Sequence, residues 1–207
     1  MNSHLLILTI AFFYIVVFGG MSALRREGLS VQFALEVLGI TAFVEAGALV
    51  TGTTVNPILF LTLIYLLSMR ARLLVDLANL LSNRGRQRDA VRLLELAQRT
   101  YPDRATHLVI MVNMGIVQLR RKNAASAQEI FQKVLEEAEA GGLGVKFEAA
   151  CRYNLGVALQ ELGKEAQAVH QFNETISILP SSLHARAASI ALEKRRRRRD
   201  EGEEPPS

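Results

Sequence analysis

The sequence predicts an all-α protein in two parts. Apolar N-terminal helices long enough to cross a bilayer come first, and a short stack of helical hairpins with one closing helix follows. Two observations lead there. The apolar residues, 50% of all 207, are concentrated before position 71. Beyond that point, small residues, turn residues and a bulky residue return three times with helical spacing. This length allows one or two domains. The boundaries read as 1–70 for a membrane part, 71–194 for hairpins and closing helix, and 195–207 for a basic, then acidic, disordered tail.

The first element, Leu5 to Leu24, is almost wholly apolar. Twenty residues at 1.5 Å rise cover about 30 Å, the hydrocarbon thickness of a bilayer. A signal peptide would want positive charge before this run and a small-x-small cleavage site after it. No Lys or Arg precedes it, and Arg25 and Arg26 follow, so an uncleaved anchor is expected. The second span, about 31–52, is long enough but carries Glu36 and Glu45. Glu36 stands near one end, within reach of the interface or of Arg25 and Arg26. Glu45 sits deeper, where a charge costs about 2.5–3.5 kcal/mol on insertion scales. Nine residues separate the two, so they point to opposite sides of the helix and do not form one paired acid site.

The third span, about 55–70, opens with Pro57 in its first turn, where a missing N–H is tolerated. It is short, so Arg70 is expected to snorkel. No helix breaker separates Ile58 from Asn83, which predicts a straight run into the next helix. Arginine placement sets the topology. Three spans with the N-terminus outside put Arg25, Arg26, Arg70, Arg72, Arg84, Arg86 and Arg88 on one, cytoplasmic side. A second segment lying flat or re-entering would put the N-terminus inside and Arg25 and Arg26 outside. Either topology leaves the remainder cytoplasmic, in a plasma or inner membrane.

The hairpin pattern is clearest from Arg152 to Pro180. Leu155, Gly156 and Leu159 edge a first helix, Gly163 turns the chain, and Ala168, Phe172 and Ile176 edge a second that Pro180 ends. Small residues at Gly156 and Ala168 let the helices approach, with Phe172 beside them. An earlier copy has Leu77, Ala78, Leu81, Gly85, Ala90, Leu94, Ala97 and Pro102. Between them lies Asn113, Met114 and Gly115, then Ala127, Phe131 and Val134, with Lys122 and Asn123 in place of the turn glycine and no closing proline. Ala78, Gly115 and Gly156 are 37 and then 41 residues apart.

This pattern resembles the tetratricopeptide repeat, a helix-turn-helix unit of about 34 residues. The resemblance covers Leu74 to Pro180, with repeats at about 71–103, 107–139 and 148–180. It implies a short tetratricopeptide-like solenoid. Three units are about the minimum for a self-supporting stack, because each buries its apolar face only against a neighbour. The longer spacings imply longer linkers, with 140–145 a flexible, glycine-containing connector. Ser181 and Ser182 can cap a closing helix at about 182–194.

The resemblance also implies a site. In the family, the first helix of each unit lines a concave groove that holds an extended peptide or a partner helix. Asn113 and Asn154 stand at equivalent places. An amide there offers donor and acceptor to a ligand backbone, or else ties neighbouring helices together. By register Asn79, Ile116, Leu119, Arg120, Tyr153, Val157 and Gln160 face the same groove. Members that grip acidic C-termini use a clamp of basic residues with two asparagines. Asn79 and Asn113 match the asparagines, but Val75, Ala150 and Asn154 occupy the basic places, so that clamp is missing. Val75, Val112, Ile116, Leu119 and Val157 then suggest an apolar or mixed partner segment.

Little else points to chemistry. His4, His107, His170 and His184 lack metal-ligand spacing, and Cys151 has no histidine partner in sequence and reads as a packing residue. The glycines of 140–145 are not followed by Lys and Ser or Thr, so no phosphate loop is read there. No enzyme activity, cofactor or metal is expected. Glu45 is open to three readings: a hydrogen bond to Thr9, Tyr14 or Thr62, contact with another membrane subunit, or an ion path. Arg195, Arg196, Arg197, Arg198 and Arg199 complement a helix C-terminus or press on anionic lipid. Nucleic acid is not expected, since no aromatics interleave the run and acids follow it. The expected function is a membrane-anchored scaffold or adaptor binding a protein partner through the groove. The alternative is an accessory or assembly subunit of a membrane enzyme or transport complex, working through its spans.

Overall fold

The computed structural model describes residues 3–24 and 30–200. Among the described residues it is all helix and turn. Arg25 and Arg26, used above for topology, lie outside them, as does the tail from 201 onward.

Three helices form the N-terminal part: α1 (Ser3–Leu24), α2 (Val31–Thr51) and α3 (Pro57–Ser68). Ser30 caps α2 through Phe33 N, and Asn56 caps α3 through Ile58 N and Leu59 N, with Pro57 in the first turn. Ile7, Ala11, Tyr14, Val37, Phe60 and Ile64 make their shared core. Large apolar side chains point outward instead, including Phe12, Phe13, Phe43, Val50 and Ile58. Thr9, Thr41, Thr51 and Thr62 each donate to the carbonyl four residues back in their own helix. Hydroxyls satisfied in this way suit a surrounding without water. Two helices, residues His4–Ser22 and Val31–Thr51, are long and apolar enough to cross a membrane. A third candidate arises if α3 and the next helix count as one broken span.

That next helix, α4 (Arg70–Asn83), corrects the straight run expected from the sequence: it bends away from α3 by 67°. No proline or glycine makes the bend. Met69 carries it at φ −98° and ψ 6° while its N–H still reaches Tyr65 O. Arg70 holds it. Nε and Nη2 donate to Thr100 O at 3.1 and 2.7 Å, Nη1 to Leu67 O at 2.7 Å, and the guanidinium grips Glu36 through both nitrogens at 2.8 and 3.0 Å. Glu36 thus answers Arg70, and the ion pair ties α2 and α3 to the first hairpin.

Three hairpins follow: α4 with α5 (Gln87–Arg99), α6 (Arg104–Arg120) with α7 (Ala124–Ala138), and α8 (Val145–Glu161) with α9 (Glu165–Ile178). Their turns are built alike. Arg86 N reaches Leu81 O, Asn123 N reaches Gln118 O and Lys164 N reaches Leu159 O, each at 2.9 Å. This bond five residues back closes a Schellman cap, which needs a left-handed residue just before it. Gly85 and Gly163 supply it at φ 79° and 73°, and Lys122 does so at φ 62°.

The packing explains why α6 is apolar almost all round. One side of it, Ile110 and Val117, enters the cluster of Val75, Ala78, Ala90, Leu94 and Ala97. Its other sides, with Leu108, Met111, Val112 and Leu119, enter the cluster of Phe131, Leu155, Leu159 and Phe172. The 140–145 connector has Gly141 and Gly142 at positive φ, and it sinks Leu143 into that second cluster. Ser182 caps α10 (Leu183–Asp200) through Ala185 N at 3.0 Å, and Ala188 completes the core. The disordered tail expected from 195 does not begin there. Arginine is a good helix former and is favoured at a helix C-terminus, and Arg195 Nε pairs with Glu165 at 3.1 Å, so α10 runs through the arginines to Asp200.

Candidate partner-binding groove

The first helices of the three hairpins, α4, α6 and α8, pack side by side. Their small residues Ala78, Gly115 and Gly156 are all buried. At the next position on each helix stand Asn79, Ile116 and Val157, all half-buried. Five residues beyond the small residue stand Asn83, Arg120 and Glu161, all exposed. Two parallel rows therefore cross the three helices, one of mixed polarity and one polar.

Arg120 is positioned from the neighbouring repeat. Its Nη1 donates to Ser82 Oγ at 2.6 Å, Ser82 Oγ donates to Gln87 Oε1 at 2.8 Å, and Gln87 Nε2 returns to Ser82 O at 2.9 Å. Glu161 faces Lys122 at 3.7 Å. Tyr153 lies between Phe172 and His184, with ring centroids 5.8 and 5.4 Å away. Burial holds the His184 imidazole below its ordinary pKa.

Other residues expected in the groove sit differently. Val75, Val112 and Leu119 are buried in the two clusters, because α6 packs against both neighbouring hairpins. Asn113 is 6% exposed and Asn154 half-buried. Each donates Nδ2 to its own helix, to Val109 O and Ala150 O, at 2.7 Å. Neither amide uses that donor to tie neighbouring helices together. Gln160 is exposed beside the polar row. Cys151 is wholly buried with Sγ 3.6 Å from Phe131 O, and burial pushes its thiol up to about 12.

Glu45 corrects the partners proposed from depth. Its Oε2 lies within hydrogen-bonding distance of His4 Nδ1 rather than of Thr9, Tyr14 or Thr62. Those three hydroxyls are engaged elsewhere, Tyr14 with Ser68 Oγ at 2.7 Å. The other oxygen, Oε1, is buried with no hydrogen-bond partner among the described residues. Arg196, Arg197 and Arg198 are exposed on the end of α10, and the Arg199 side chain lies outside what the structure describes.

Sequence reading missed a cavity of about 230 Å³ where the N-terminal helices meet the first hairpin, lined by Phe18, Phe33, Glu36, Tyr65, Arg70 and Asp76 among others. Glu36 and Arg70, opposite charges at the ends of two apolar runs, were its only trace in the sequence.

Stacked antiparallel hairpins with matching turns, inner helices side by side and one closing helix define a helical-repeat protein. Residues 103–181, the second and third hairpins, match the family model described as tetratricopeptide repeat. Those residues carry tetratricopeptide repeats. No curated protein and no solved structure gave a significant match.

Proposed function

We propose that the protein is a membrane-anchored, non-catalytic scaffold that binds a protein partner, as an extended peptide or a helix, along α4, α6 and α8 on the cytoplasmic side. The observation that carries this reading is the row Asn79, Ile116 and Val157, equivalently placed on three adjacent helices and left half-exposed. Repetition at one register offers a regular, extended surface, which an elongated ligand can follow over its length. Arg120, Tyr153, Asn113 and Asn154 flank that row. Its mixed character, with a cation held in place by Ser82, suits a partner segment that is partly apolar and bears hydrogen-bond acceptors.

Membrane anchoring is supported by the two helices of spanning length, by their outward phenylalanines and leucines, and by threonines bonded within their own helices. The competing reading, an accessory subunit working through its spans, would rest on Glu45. One of its oxygens is turned to His4 and the other is closed off from the surface. A neighbouring subunit would have to displace that arrangement, so the groove is favoured.

The test is co-purification from detergent extracts with the full-length chain. Wild type is compared with Asn79→Ala/Ile116→Ser/Arg120→Ala and with a control at exposed positions on α5 and α9, Gln98→Ala/Gln167→Ala. A partner retained by the control and lost by the groove variant supports the reading. A partner held equally by all three overturns it.

A further inference from the structure

We propose that α4 is not only the first repeat helix but also an interfacial membrane helix, its outer face lying on the bilayer surface. This rests on the membrane reading above and adds a second, in-plane contact to the spans.

The face is specific. Leu73, Leu77 and Leu80 stand at i, i+4 and i+7, one stripe of a helix, and are 37%, 45% and 46% exposed. Directly opposite them, Ala71, Val75, Ala78 and Ser82 are buried against α5 and α6, so no element of the array covers the stripe. Arg72, Asp76, Asn79 and Asn83 lie to one side of it, and Leu74 and Leu81, partly buried against the first-hairpin cluster, lie to the other.

Geometry selects a bilayer as the occupant. Only Met69 separates the helix from α3, a short apolar helix of 12 residues, and α4 bends from it by 67°. With α3 along the bilayer normal, α4 then rises only about 23° from the membrane plane. Leu80 lies ten residues beyond Arg70, about 15 Å along the helix at 1.5 Å per residue, so it climbs roughly 6 Å above the depth of Arg70. Interfacial helices bury their apolar face about 5–10 Å into the headgroup and acyl boundary, and the whole stripe stays in that layer. The exposed leucines also continue the outward apolar surface of α3, where Leu63, Leu66 and Leu67 precede them.

The other contacts of the first hairpin keep it low. Arg70 holds Thr100 O, and Gln32, at the start of α2, donates to Tyr101 O at 2.7 Å. The turn after α5 is therefore pinned at the ends of the spans, with the Tyr101 ring 84% exposed beside them. A tyrosine so placed is of the type enriched at membrane–water interfaces. In function, such a helix would fix the direction of the groove relative to the membrane.

Nitroxide labels on the full-length chain in phosphatidylcholine–phosphatidylglycerol vesicles test this. Leu77→Cys is compared with Phe12→Cys on α1 and Glu95→Cys on α5, while Cys151, buried, stays unlabelled. Collision rates with oxygen, which partitions into lipid, and with a water-soluble nickel chelate are read at each position. The proposal expects Leu77 to follow Phe12, favouring oxygen several-fold more than Glu95 does. If Phe12 reports lipid while Leu77 reports water, or is shielded from both reagents, the interfacial helix is wrong and the spans stand. If Phe12 also reports water, the membrane reading falls with it.

Discussion

Gly156 faces the ring of Phe172 so closely that a Cβ built on it would stand 2.6 Å from Cε1. Gly115 stands in the same relation to Phe131, at 2.5 Å. The helices of the second and third hairpins are thus drawn together over an aromatic ring, and both rings are buried. A methyl group at either glycine must push a packed ring. Overpacking costs about 1–3 kcal/mol, partly offset by the better helix propensity of alanine. Gly156→Ala is expected to destabilise the third hairpin by roughly 1–2 kcal/mol, and the double variant Gly156→Ala/Phe172→Leu to recover part of the loss. Thermal unfolding followed by circular dichroism checks both; a silent Gly156→Ala would remove this account of the close approach.

Lys122 adopts φ 62° at a turn where its two counterparts are glycines. A left-handed residue with a Cβ costs about 1–2 kcal/mol, which glycine avoids. Lys122→Gly is expected to stabilise the second hairpin by roughly 0.5–1 kcal/mol, the gain being reduced by the entropy of a more flexible unfolded chain. A higher denaturation midpoint with unchanged slope is the predicted readout.

Arg70 joins Glu36 to Thr100 O across α2, α4 and the turn after α5. Removing one partner of a partly buried pair leaves the other uncompensated. Arg70→Ala is therefore expected to raise hydrogen exchange in residues 100–103 several-fold while leaving the turn at Gly163 unaffected. Arg70→Lys, lacking the guanidinium fork, would restore only part of the protection. Equal exchange in wild type and Arg70→Ala would mean that the bend at Met69 stands without this tie.

His184, half-buried against Tyr153, has its pKa lowered by burial. The unfolded chain then takes up a proton at higher pH than the folded one does. Stability from this group is present above about pH 6.5 and falls as pH drops through the lowered folded pKa. Exchange protection of α10, corrected for intrinsic rates, is expected to weaken between pH 7 and pH 5. His184→Gln should lose that pH dependence.

Much of the array was legible because each repeat shows its own signature. Leu, Gly, turn Gly, Ala, Phe and Pro in the third unit are local, and Asn79, Ile116 and Val157 follow from them by counting. What escaped depends on neighbours distant in sequence. Val75 and Val112 were expected in the groove, but α6 buries side chains against hairpins on both sides, and no single helix's periodicity distinguishes one buried side from two. The bend at Met69 has no breaker residue; its cause, Arg70 meeting Glu36 and Thr100, joins positions 34 and 30 residues apart. Glu45 was matched by estimated depth to hydroxyls that bond elsewhere, and His4, at the start of α1, answers it.

The central claim is that the inner row of α4, α6 and α8 holds a protein partner, and site-specific photo-cross-linking tests it most directly. A photoreactive residue is placed at Ile116 or Val157 in the groove, or at exposed Gln167 on α9, in the full-length chain in native membranes. The account predicts a discrete adduct of the same mass from Ile116 and Val157 and none from Gln167. Adducts from Gln167 alone, or none from either groove position, would contradict it.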